Sequence, residues 1–123
     1  MINNELMIGD WVYYKGKEQM PCRITSIMGN SIKFDNGTPQ DWMSDVNNFT
    51  PIPLTAEILE KNFVKFGTQR YIIYGGNSYI KDMTNFFELH INFVDFRLEQ
   101  QIFYVHKLQQ ALRLCGIEKE IEL

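Results

Sequence analysis

Residues 87–98 read Phe-Glu-Leu-His-Ile-Asn-Phe-Val-Asp-Phe-Arg-Leu and carry two alternating patterns that disagree in phase. Apolar residues take the odd positions Phe87, Leu89, Ile91 and Phe93, then the even positions Val94, Phe96 and Leu98. Strand side chains alternate with period two, so one regular strand cannot bury both sets, and the backbone needs a bulge or a turn near Asn92. The run is also long for a single strand, which favours a hairpin.

Upstream, Tyr71 to Tyr74 reads as a buried strand, Gly75-Gly76-Asn77 as a turn and Ser78 to Lys81 as the returning strand. Downstream the period becomes helical. Between Ile102 and Cys115, the residues Tyr104, Val105, Leu108, Ala111, Leu112 and Cys115 fall on one stripe, and Gly116 is the expected stop. Ile117, Lys119, Ile121 and Leu123 then alternate with Glu118, Glu120 and Glu122, which predicts a terminal strand with one wet, acidic face.

The N-terminal part is richer in turns. Ile8 to Tyr14 reads as a strand closed by Lys15-Gly16-Lys17, Cys22 to Met28 as a second and Ser31 to Phe34 as a third. Gly29-Asn30 and Asp35-Asn36-Gly37 supply the turns. Short strands with tight turns predict a small SH3-like β-barrel, closed either by Trp42 to Phe49 or with that stretch as a loop. Pro51-Ile52-Pro53 forces extended backbone and marks a seam. A short helix follows it, capped by Thr55, with Glu57 in the first turn and Leu54, Ile58, Leu59 and Phe63 on one side. The expected fold class is α+β. Residues 1–53 form an SH3-like module and residues 54–123 an α+β module of short helix, antiparallel strands, amphipathic helix and terminal strand, either as two domains or as one continuous domain.

The composition narrows function. The chain has 123 residues, is 45% apolar and 14% aromatic, and has a net charge of -3. Four basic residues stand against six acidic ones up to residue 53, and eight against nine beyond it. Phosphate backbones are held by clustered Lys and Arg, so this balance disfavours nucleic-acid binding. The sequence shows no basic-then-apolar leader and no run of membrane-spanning length, and it has only two cysteines, Cys22 and Cys115. The expectation is a cytoplasmic protein with no membrane association, its thiols acting as small apolar groups.

Three segments resemble a known family: IGDWVYYKG at Ile8 to Gly16, PIPLTAEILEKN at Pro51 to Asn62 and IFYVHKLQQALRLCG at Ile102 to Gly116. They are similar to short uncharacterised proteins from gut Bacteroidales genomes and prophages. In that family an IGxxV strand, a PIPLTxExL element and a YVHxLQ element ending in glycine recur in this order. The chain departs from the pattern at Asn62-Phe63, where glycine-phenylalanine is usual, and at Leu114-Cys115-Gly116, where threonine-glycine is common. The resemblance implies a bacterial or phage setting, with a bacterial host cell as the compartment, and brings no chemistry with it.

Catalytic signatures are missing from the sequence: it has no nucleophile elbow, no phosphate-binding glycine loop and no zinc-type spacing among His90, His106, Cys22 and Cys115. No enzyme activity, metal or cofactor is therefore expected. The candidate ligand-binding residues fall in three groups. Trp11, Tyr13, Tyr14 and Trp42 form an aromatic set of the kind that SH3-like barrels expose to hold peptides, cations or bases. Alternation puts Trp11 and Tyr13 on one face and Val12 and Tyr14 on the other, so that one pair packs in the core and the other is at least partly exposed, and plain packing is the commoner role of such aromatics. His106, Gln109, Gln110 and Arg113 share the helix face opposite the apolar stripe, where an ordinary solvated face shows the same residue types. Arg70 and Lys81, with Arg113, are the cations suited to a phosphate. The leading expectation is a non-catalytic binding or assembly module that forms a homo-oligomer or binds a protein partner. The alternative is a phage protein that sequesters a nucleotide signal, and a nucleic-acid-binding role comes third.

Overall fold

The computed structural model describes residues 5–15, 19–37, 42–74 and 77–123. The expected turns at Gly16-Lys17 and Gly75-Gly76 lie outside the described residues. The fold is α+β, with two five-stranded antiparallel sheets and two α-helices. The chain separates into two compact units, Met1–Ile52 and Pro53–Leu123.

In the first unit the strands are β1 (Trp11–Lys15), β2 (Gln19–Met28), β3 (Ser31–Asp35), β4 (Trp42–Asp45) and β5 (Phe49–Pro51). A 3-10 turn at Val46–Asn48, capped by the Asp45 carboxylate, separates the last two. The sheet order is β4-β3-β2-β1-β5, so the chain runs as a meander and then returns to pair with its first strand. Among the described residues no ladder joins β4 to β5, and the sheet remains open. Gly29 adopts a φ of 60° in the β2–β3 turn, where a β-carbon would be strained. Gly37 has a φ of 90° and its amide donates to the Asp35 carboxylate at 2.7 Å. The core gathers Leu6, Val12, Cys22, Ile24, Ile32, Phe34, Val46 and Phe49, with Tyr14 packed against it. Burial pushes the Cys22 thiol up to about 12, and both cysteines are free.

The second unit begins with α1 (Ala56–Asn62), where Thr55 Oγ1 accepts from the Ile58 amide at 3.3 Å and Glu57 lies in the first turn. The strands β6 (Val64–Phe66), β7 (Arg70–Tyr74), β8 (Ser78–Asp82), β9 (Phe87–Asn92) and β10 (Arg97–Ile102) follow, and α2 (Val105–Leu114) comes after them. Each strand pairs with the next, in the order β10-β9-β8-β7-β6. The phase conflict of residues 87–98 is resolved by a hairpin: the Phe93 amide donates to the Phe96 carbonyl at 2.8 Å, and Val94 stands at the tip. Val94 and Phe96 therefore belong to the turn and are exposed. One face of this sheet is buried through Tyr71, Ile80, Phe87, Leu89, Ile91 and Ile102, and α2 turns Val105, Leu108, Ala111 and Leu112 inward.

Two expectations need correction, and one strand carries no signal in the sequence. The helix starts at Val105, because Tyr104 is held extended by a bridge to Pro53 and the Phe103 carbonyl accepts from the Leu54 amide at 3.0 Å. β6 has no alternating signal of its own; it forms because Val64, Lys65 and Phe66 pair with Ile72, Tyr71 and Arg70. Residues 117–123 do not form a strand. The alternation is real, since Ile121 is buried and the three glutamates are exposed. Yet at Glu122 the partner that takes the place of a neighbouring strand is a side chain. The Asn62 carboxamide donates to the Glu122 carbonyl at 2.7 Å and accepts from the Glu122 amide at 2.7 Å, which is what a neighbouring strand would do.

Candidate functional site

Because strand side chains alternate, the register that buries Tyr71, Ile80 and Leu89 sends their neighbours to the other face of the second sheet. One row across that face runs Val64, Ile72, Tyr79, His90, Glu99, and the next runs Phe66, Arg70, Lys81, Glu88, Gln101. Val64 and Phe66 are 72% and 66% exposed, and Ile72 and Tyr79 are half-buried.

The centre of the face is a stack. The Arg70 guanidinium lies 4.5 Å from the centre of the Tyr79 ring, and that ring lies 4.7 Å from the His90 imidazole at an interplanar angle of 19°. Such contacts contribute about 0.5–1 kcal/mol each, enough to fix the rotamers of three long side chains. His90 lies between two carboxylates, with Nε2 2.5 Å from Glu88 Oε1 and Nδ1 3.5 Å from Glu99 Oε1. The result is a pre-ordered surface with apolar and aromatic groups on β6 to β8, two cations on β7 and β8, and two carboxylates on β9 and β10.

Of the residues singled out in the sequence, the structure brings Arg70 and Lys81 together as register partners. Tyr79 is covered by Arg70 from one neighbouring strand and by His90 from the other, so a nucleotide base could stack on it only after displacing one of them. The aromatic set is divided. Trp11 pairs across from Arg23, whose guanidinium lies 5.2 Å from the Trp11 ring centre, and Tyr13 shares that face. Trp42 pairs with Phe34 and stacks on it at 6.3 Å, so it belongs with Tyr14 and Phe49 on the opposite face. The helix group is corrected as well. His106 and Gln109 are buried, Gln110 is half-buried and only Arg113 is exposed, because α2 is enclosed over more than half of its circumference.

Sequence reasoning missed Tyr79, Glu88 and the partnership of His90. Alternation alone places each on the outer side of its strand, but their adjacency depends on turn lengths that fix the register.

A cleft of ≈ 290 Å³ in the same unit is lined by Pro53, Leu54, residues 84–87 and residues 102–104. Its rim contains a strained residue. The Met83 amide donates to the Phe86 carbonyl at 2.9 Å, leaving a two-residue loop in which Thr84 has a φ of 79°. Glycine is the residue such turns favour, and a β-branched side chain there is costly. The Asp82 carboxylate holds the Thr84 amide at 2.8 Å. Strain of about 1–3 kcal/mol outweighs the added chain entropy of glycine, so Thr84→Gly is expected to stabilise the protein by about 1 kcal/mol. Denaturant unfolding checks this, and a glycine variant no more stable than the parent contradicts it.

Among the described residues, no three His, Cys, Asp or Glu side chains are grouped to hold a metal ion, and no helix is long and apolar enough to cross a membrane. Comparison with protein-family models, curated proteins and solved structures found no match.

Proposed function

We propose that the chain is a non-catalytic binding and assembly module that associates with itself. The observation that supports this reading is the outer face of the second sheet, where Val64, Phe66, Ile72 and Tyr79 stand beside Arg70 and Lys81. Aromatic residues and arginine are the types enriched at protein interfaces, and here they are ordered by mutual stacking before any partner arrives. In this reading the first unit is an SH3-like module, supported by its five short strands and the return of the last to the first. The setting is bacterial or phage, as the three family-like segments suggest.

The expected strength follows from area. A face of five strands, each ~4.8 Å from the next and about five residues long, covers a few hundred Å². That falls short of the ~800 Å² each partner contributes to a standard interface. Self-association through a face this small is expected to be weak and reversible. Sedimentation equilibrium should show a species of twice the 14.5 kDa chain mass growing with concentration. Ile72→Asp should weaken it by at least about tenfold, since a carboxylate replaces an apolar group on this face. A strict monomer at high concentration removes the self-association, as does an Ile72→Asp variant that associates like the parent.

A further inference from the structure

We propose that two copies pack their outer sheet faces together about a two-fold axis parallel to the strands and passing between β8 and β9. The inference rests on the self-association above and specifies its geometry. The edges of the sheet are poor candidates. β6 is only three residues long, and Lys65 at its middle points to the inner side, 5.8 Å from the Tyr71 ring centre and 3.5 Å from Glu60. Short length and an inward charge are the features that keep edge strands from pairing. The opposite edge, β10, presents Arg97, Glu99 and Gln101 on its outer side. The face remains, and its charge is uneven across the strands: Arg70 and Lys81 on β7 and β8, Glu88 and Glu99 on β9 and β10.

That unevenness selects the symmetry. An axis running across the strands would lay each strand over its own copy, cation half on cation half and carboxylate half on carboxylate half. An axis along the strands reverses the strand order and lays the basic half over the acidic half. Placed between β8 and β9, it sets Lys81 against Glu88 of the partner subunit and Tyr79 against His90 of the partner subunit. Each contact occurs twice. Shifted by half a strand, onto β8, the same axis would set Lys81 against its own copy, so charge also fixes the offset.

The test uses Lys81→Glu and Glu88→Lys in the full chain, with far-ultraviolet circular dichroism and melting curves to verify folding. Each variant alone places two like-charge contacts in its own dimer and should raise the dissociation constant at least about tenfold. An equimolar mixture pairs a doubly acidic face with a doubly basic one, and dimer mass should return in sedimentation equilibrium. Lys81 and Glu88 are also register partners within one chain, but that pairing cannot be restored by mixing. If the parent is monomeric, self-association itself is wrong. If the parent dimerises but the single variants do so equally well, or the mixture shows no rescue, the two-fold arrangement is wrong and self-association stands.

Discussion

Asn62→Ala should release residues 117–123 from the second unit and lower its stability by about 3 kcal/mol. The carboxamide donates to the Ile58 carbonyl at 2.7 Å as well as exchanging both bonds with Glu122, and each bond contributes about 1 kcal/mol. Asn62 is itself 9% exposed, so little water competes for these bonds. Freed of its partner, the segment would also withdraw Ile121, which is 2% exposed. Ile121→Ala should therefore cost a similar amount, and the double variant should cost clearly less than the two losses added, because both undo one attachment. Denaturant unfolding gives the energies, and amide exchange at residues 117–123 reports the release. Full additivity, or exchange in Asn62→Ala as slow as in the parent, contradicts this account.

Phe49→Ala should unfold the first unit. Phe49 is fully buried, meets Phe34 edge-on at 5.2 Å and 82°, and tilts against Tyr14 at 5.6 Å. Truncating a buried phenylalanine costs about 3–5 kcal/mol. A module near fifty residues is only marginally stable, so the loss is comparable to its whole folding free energy. Phe49→Leu keeps most of the volume and should cost less than about 1.5 kcal/mol beyond the lost ring contacts. Near-ultraviolet circular dichroism separates the two outcomes: the alanine variant loses the aromatic signal of the first unit, and the leucine variant keeps it. A folded, cooperative alanine variant would show that the aromatic cluster is not what holds β5 to β1.

Much of the fold was legible in the sequence, for reasons that also mark where the reading stopped. The phase change at residues 87–98 demanded a bulge or a reversal, and its length favoured the reversal that forms, while Thr55 with Glu57 announced α1 by local chemistry that no tertiary context overrode. β6 was invisible because three exposed residues carry no periodicity, and its existence depends wholly on pairing with β7. The alternation of residues 117–123 predicts a strand that does not form, although it does mark Ile121 as buried and the three glutamates as exposed. The error lay in assigning it a strand as neighbour, since no pattern reveals that an asparagine sixty residues earlier offers a donor and an acceptor at strand spacing. His106 and Gln109 are residue types that ordinarily mark a solvated face, whereas α2 is enclosed beyond its apolar stripe.

The candidate surface was half legible. Arg70 and Lys81 stood out as cations, but their setting with Tyr79 and His90 is a property of register, and register is set by turns that composition locates without measuring. Trp11 and Trp42 are separated by the same register: one faces Arg23 and the other Phe34, on opposite sides of one sheet.

The central claim is that the outer face of the second sheet is where the protein recognises its own copy. Nitrogen-15 correlation spectra of the full chain, recorded from micromolar to millimolar concentration, test it most directly. Shifts that grow with concentration should cluster at Arg70, Ile72, Tyr79, Lys81, Glu88 and His90 while β4 and β5 stay unchanged. Spectra that do not depend on concentration, or shifts confined to the first unit, would contradict it.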